Sequence, residues 1–200
     1  MKVGFVFECQ DQGPDEVLYT QVAKDLCNNF EISQENISPL GNKHAVINDS
    51  TLDVVTMFKN GCEYVFIVWD RMPKWKDGTG KCDDDKSTLK KNLTGAGVNM
   101  DKVIMCCIDE MLESWLIADG RGVTNYFQNI NRQSPKFDDH KTRAEQAAPK
   151  ERLSAYNGRY NEYKDNLGIL KGLNKDYSRA ARWNKSFGEY VDAVNRICQQ

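Results

Sequence analysis

YVFIVWD, residues 64–70, is the stretch that decides the fold. Six consecutive apolar residues, mostly β-branched or aromatic, leave no polar face to turn towards water. Such a run predicts a central strand of a parallel sheet, covered on both sides. Upstream, NDSTLDVVTMFKNG (48–61) predicts a capped helix ended by Gly61. Downstream, the polar loop RMPKWKDGTGKCDDD (71–85) leads into a helix over 83–93, with Leu89 and Leu93 facing inward and Gly95 and Gly97 ending it. KVIMCCID (102–109) is a second buried strand, and EMLESWLIADG (110–120) turns at once into a helix. At the front, residues 2–8 predict a strand and GPDEVLYTQVAKDLCNNF (13–30) a helix. Pro14 suits that helix's first turn, and Asp15 and Glu16 suit the positive end of its dipole. Val17, Leu18, Val22, Leu26 and Phe30 form its core stripe. A short edge strand is expected in 31–38. The alternation predicts an α/β fold: a mostly parallel sheet of about four strands with helices on both faces.

Beyond residue 120 strand signals stop. GVTNYFQNI (122–130) predicts a short helix, and NRQSPKFDDHKTRAEQAAPK (131–150) an extended polar loop. From Pro149 the pattern is helical to the end, with Phe187, Tyr190, Val191, Val194 and Ile197 on one stripe. The expected organisation is an α/β domain over 1–120 and a helical extension over 121–200 packed on it.

A hydrophobic content of 40% and a charged content of 28% suit a soluble globular chain. No apolar run approaches the roughly 18 residues of a membrane span. The first residues read as a strand of the mature protein rather than a leader. The seven cysteines are odd in number, lack a CxxC and fall largely in apolar patterns. They predict reduced, mostly buried thiols in a cytoplasmic protein, with Cys82 exposed in a polar loop and no zinc site. Residues 1–120 carry 12 Lys+Arg against 20 Asp+Glu, and residues 121–200 carry 15 against 9. An acidic front can hold a cation, and a basic tail can meet an anion such as a nucleic-acid backbone. The blander reading is a chance asymmetry of solvated helix faces.

In an open parallel sheet, ligands bind beyond the carboxyl ends of the strands. Three strands here end in acids: Glu8, Asp70, and Asp109 with Glu110. Glu113 lies one turn further. Converging carboxylates raise one another's pKa unless a cation neutralises them, and oxygen donors of this kind suit Mg²⁺ or Mn²⁺. Such a cation points to phosphoryl or phosphodiester chemistry. The structural alternatives are a helix cap for Asp109 and a salt bridge to the basic tail for Glu113. Asp83, Asp84 and Asp85 are explained by a helix dipole and Asp119 by a helix end. Lys150 is opposed by the dipole at its helix start, which points to a use such as a phosphate contact. Trp69, Trp75 and Trp115 read as packing residues, and His44 and His140 as solvated. No P-loop, GxSxG, HExxH or GxGxxG is present.

FVFECQDQGPDEVLY (5–19) and VFIVWDRMP (65–73) together resemble the TOPRIM domain of topoisomerases, primases and OLD-type nucleases. Glu8 matches the strand-end glutamate, with Cys9 in place of the usual glycine. Asp70 matches the first acid of the later Asp-x-Asp, and Met72 stands where the second should be. CCIDEMLESWLIADG (106–120), together with NKSFGEYV (184–191), is similar to a TOPRIM-like family of unknown function, found in bacterial genomes near phage-defence or ATPase genes. The resemblance implies a Mg²⁺-dependent nuclease-like centre acting on nucleic acid, beside a separately encoded ATPase. Glu8 would be metal ligand or general acid/base and Asp70 a ligand. Glu113 would restore the carboxylate that Met72 removes. Two alternatives stand beside it: a catalytically degraded module that binds nucleic acid or a partner, and a small-molecule phosphotransfer enzyme or phosphohydrolase.

Overall fold

The computed structural model describes residues 1–9, 13–73 and 80–200. Trp75, read above as a packing residue, lies outside them. The chain runs β1 (Val3–Phe7), α1 (Pro14–Leu26), β2 (Ile37–Pro39), α2 (Lys43–Asn48), α3 (Thr51–Lys59), β3 (Tyr64–Asp70), α4 (Cys82–Gly95) and β4 (Val103–Ile108). Seven helices follow: α5 (Glu113–Ala118), α6 (Gly120–Ile130), α7 (Arg143–Gln146), α8 (Pro149–Tyr156), α9 (Glu162–Lys171), α10 (Ser178–Trp183) and α11 (Lys185–Cys198). The four strands form one all-parallel sheet in the order β2-β1-β3-β4. The chain leaves β1 for β2 on one side and returns to β3 on the other. The crevice beyond β1 and β3 is therefore the topological switch point, the usual ligand position in such sheets.

YVFIVWD is buried on both faces because its alternate residues enter two separate cores. Phe66 and Val68 join Phe5 and Phe7 under α1, α5 and α11, while Val65, Ile67 and Trp69 face α2, α3 and α4 through Val46, Val54, Met57, Leu89 and Leu93. A period of two on a sheet covered by helices on both sides leaves every position apolar. Gly61, at φ +88°, closes α3 in the left-handed region that a side chain disfavours. Three helices depart from expectation. The run 48–61 divides into the end of α2 and α3, EMLESWLIADG divides at Asp119 into α5 and α6, and the loop 131–150 contains α7, started by a Thr142–Glu145 capping box. Val17, expected in the core, is 40% exposed.

The tail shares the larger core with the sheet. Trp115 stacks on Phe187 with centroids 4.5 Å apart, and Tyr190 donates its hydroxyl to the Tyr19 carbonyl at 2.8 Å. Ser186 Oγ accepts from Trp115 Nε1 at 2.9 Å and donates to Asn184 Oδ1 at 2.8 Å. Asn184 Nδ2 reaches Ser114 Oγ at 3.1 Å. Stretches 114–115 and 184–187, both quoted in the resemblance, are thus one buried joint between α5 and α11.

The expectation of seven reduced thiols is overturned. Cys27 is bonded to Cys198 and Cys82 to Cys107, each pair with Cα atoms 5.7 Å apart, leaving Cys9, Cys62 and Cys106 free. The first bridge joins the ends of α1 and α11, 171 residues apart in sequence, and no spacing rule announces such a pairing. Cys82 opens α4 and is half-buried rather than exposed. No helix among the described residues is long and apolar enough to cross a membrane.

Candidate acidic cleft at the switch point

A cleft of about 310 Å³ opens beyond the carboxyl ends of β1 and β3. Its described lining holds four acids, Glu8, Asp15, Asp70 and Glu162, against one cation, Lys150. Glu8 follows β1 directly, and its Oε2 accepts the Asp70 backbone N–H at 3.1 Å, tying the two strand ends together. Asp70 ends β3 with its Oδ1 buried and without a hydrogen-bond partner. A buried, unpaired carboxylate oxygen is costly unless the group is protonated or meets a cation.

The acids raise one another accordingly. Burial, opposed by Lys43, holds the Glu8 pKa up at about 7. Burial and then the Glu113 charge push Asp15 to about 7. Burial, followed by the charges of Glu8, Asp15 and Glu113, puts Asp70 well above the usual carboxylate range. Cys9, also in the lining, is driven up to about 12 by burial and then by Asp15, so its thiol stays protonated at neutral pH.

Lys150 reaches the cleft from the first turn of α8. Its Nζ pairs with Glu162 and lies 3.8 Å from Glu113 Oε1. Burial works against its charge, yet these two acids hold its pKa above the ordinary value. The position that the helix dipole opposes is thus stabilised by side chains from α5 and α9.

Glu113 is 2% exposed and stands behind Lys150. Its Oε1 accepts from Asn166 Nδ2 at 2.9 Å and from the Tyr160 hydroxyl at 3.4 Å, while its Oε2 has no partner. The salt bridge weighed for Glu113 is present. Among the described residues it is not part of the cleft lining.

Asp109 is placed elsewhere. Its carboxylate pairs with Arg143 at 3.0 Å and Arg71 at 3.5 Å, and Glu110 pairs with Arg71. The physical reason is register. Asp70 is level with Ile108 across β3 and β4, so Asp109 falls level with Arg71, and neighbouring residues of a strand point opposite ways. Asp119 caps α6 through Arg121 N at 3.1 Å, as a helix-end residue should. Asp85 does more than offset a dipole: it is 2% exposed and accepts from Trp69 Nε1 at 3.3 Å.

Sequence reading passes over two lining residues of the cleft, Asp15 and Glu162, and one residue behind it, Lys43. Asp15 was assigned to the helix dipole, although a helix that starts beyond β1 necessarily starts at the ligand edge. Glu162 sits in the first turn of α9, far along the chain. Lys43 is 4% exposed, and its Nζ donates to the carbonyls of Asp70, Arg71 and Pro73 at 3.0, 2.6 and 2.8 Å. It clamps the segment after β3, yet nothing in GNKHAVIN marks it as buried.

The donors fit a hard divalent cation in chemistry: carboxylate oxygens, one of them, Asp70 Oδ1, buried and without a hydrogen-bond partner among the described residues. They do not form a finished cage, because no group of three or more His, Cys, Asp or Glu among the described residues is placed to hold a metal ion. Met72 lines the cleft where the resemblance expects an acid. The chain matches no protein-family model, and neither a curated protein nor a solved structure is found similar to it.

Proposed function

We propose that the chain is a TOPRIM-like, metal-dependent nuclease acting on nucleic-acid phosphodiesters at the acidic cleft. The observation that carries this reading is the buried, unpartnered Oδ1 of Asp70 in the field of Glu8, Asp15 and Glu113. Asp70 and Glu8 would hold Mg²⁺ or Mn²⁺, which supplies the positive charge that a phosphodiester transition state needs. As a ligand Glu8 would be ionised; in the alternative role, with Asp70 alone meeting the cation, its metal-free pKa of about 7 suits a general acid or base. Lys150 presents its ammonium group to the same cleft for a non-bridging phosphate oxygen. The protonated Cys9 leaves the chain's own thiol out of the chemistry. The cytoplasmic expectation rests on reduced thiols and loses that support, because the two disulfides would have to form against a reducing poise.

A second reading rests on Met72. With an apolar side chain in the second acid's place, the cleft would bind nucleic acid or a protein partner without cutting. An Mg²⁺/Mn²⁺ assay on DNA and RNA separates the two, with wild type set against Glu8→Gln and Asp70→Asn. Cation-dependent cleavage that falls at least about 100-fold in both variants supports the nuclease. Equal cleavage in Glu8→Gln removes Glu8 from the chemistry, and binding without cleavage in wild type favours the second reading.

A further inference from the structure

A cavity of about 480 Å³ lies on the other side of the same strand ends. Arg71 and Asp109 bring the ends of β3 and β4 to it, and α4, α7 and α11 supply other walls. Five described lining residues are cations: Arg71, Lys81, Lys86, Arg143 and Lys185. Against them stand Asp83, Asp109 and Glu189. Two of these acids are shared, Asp109 between Arg71 and Arg143 and Glu189 between Lys86 at 3.9 Å and Lys185 at 3.7 Å. Arg71 also pairs with Glu110 from outside the lining, and the five described cations still outnumber the four acids, so a small surplus of positive charge faces the cavity.

The acidic cleft has the opposite balance, and the wall between the two is the strand end itself. Asp70 lines one cavity and the next residue, Arg71, lines the other. A small phosphate ester would occupy one of these sites. A nucleic-acid strand carries a phosphate on every nucleotide and can place one in each. Tyr163, 67% exposed, lines the rim of the acidic cleft and offers a ring face on which a base can stack.

We infer that the basic cavity binds a backbone phosphate of a single-stranded nucleic acid whose neighbouring phosphodiester lies in the acidic cleft, an assignment that rests on the phosphodiester reading of that cleft. The test is fluorescence anisotropy of a labelled single-stranded oligonucleotide, DNA and RNA in turn, titrated in EDTA over a range of salt. The variant is Arg143→Gln with Lys185→Gln, whose side chains are 64% and 86% exposed, so the fold is spared. Lys136→Gln, 77% exposed and outside the lining, is the control. Expected are weaker binding by the double variant and a salt slope flattened by about 0.7, with the control as wild type. A double variant that binds like the control overturns the assignment. So does calorimetric binding of inorganic phosphate, lost in the double variant, by a wild type that ignores the oligonucleotide. Because EDTA removes cleavage from the measurement, binding through the cavity by a protein that never cuts with Mg²⁺ or Mn²⁺ supports this site and overturns the nuclease reading alone.

Discussion

Replacing Glu8 by Gln is expected to stabilise the metal-free protein at pH 8. In the folded chain burial raises Glu8 from its ordinary 4.5 to about 7. Below pH 4.5 the carboxyl is protonated in both the folded and unfolded states and contributes no difference. Between pH 4.5 and about 7 the unfolded chain gives up the proton while the folded chain keeps it, so stability falls as pH rises. Above about 7 the loss is complete. At about 1.36 kcal/mol per pKa unit it has an upper value of about 3 kcal/mol. Partial solvent contact reduces the expected gain from Glu8→Gln to about 1–3 kcal/mol, the attraction to Lys43 being already contained in the raised pKa. In a chain of this size that is a rise in Tm of roughly 2–10 °C at pH 8, fading to nothing near pH 4. The amide keeps an oxygen that can accept the Asp70 N–H, so geometry is preserved. Mn²⁺ should raise the wild-type Tm at pH 8, by about 2.7 kcal/mol of stability at a hundredfold excess over Kd, and raise the variant's far less. Differential scanning fluorimetry across pH 4–8, with and without Mn²⁺, reads both effects. A variant less stable than wild type at pH 8, or an equal difference at pH 4 and pH 8, would refute the claim that burial strains this carboxylate.

Lys43→Met should cost about 3 kcal/mol, because three carbonyls after β3 lose a charged donor together. Urea denaturation reads the loss, and a cost below about 1 kcal/mol would show that the clamp is dispensable. The same substitution should drive the Glu8 pKa higher, since the Lys43 charge pulls it down. Alkylation of the unfolded, unreduced protein should label three cysteines of the seven, Cys9, Cys62 and Cys106. Seven labels by intact mass would show that the bridges do not form in the source compartment.

The parts of the fold legible in the sequence were those that need no partner to be seen. YVFIVWD had to be covered on both faces whatever covered it, and the strand–helix alternation then required a parallel sheet. What stayed hidden was register and distance along the chain. Asp70 and Asp109 both follow apolar strands, and only the pairing of Asp70 with Ile108 shows that one enters the acidic cleft and the other the arginine pair beyond it. Asp15 and Lys43 carried local explanations, a dipole and a polar run, that hid their burial at the switch point.

The resemblance divides along the same physical line. From its more distinctive stretch, 109–119, Ser114 and Trp115 hydrogen-bond to Asn184 and Ser186 and so join α5 to α11. Those residues satisfy one another's polar groups and hold the tail on the sheet, work that constrains residue type as strongly as chemistry does. In its looser part, Glu8 accepts the Asp70 N–H, while Asp70 Oδ1 is buried without a hydrogen-bond partner among the described residues. The joint is satisfied, whereas Asp70 Oδ1 is left buried and unpaired at the sheet's ligand edge, as Asn36 Oδ1 and Ser50 Oγ are elsewhere among the described residues. An oxygen such as that of Asp70 is tolerated when its carboxyl is protonated, which the raised Asp70 pKa favours, or when a cation meets it. Glu113 links the two parts: one oxygen is fixed by Asn166 and Tyr160 and faces Lys150, while the other is unpaired. The joint that docks the tail thereby also sets the lysine that faces the cleft.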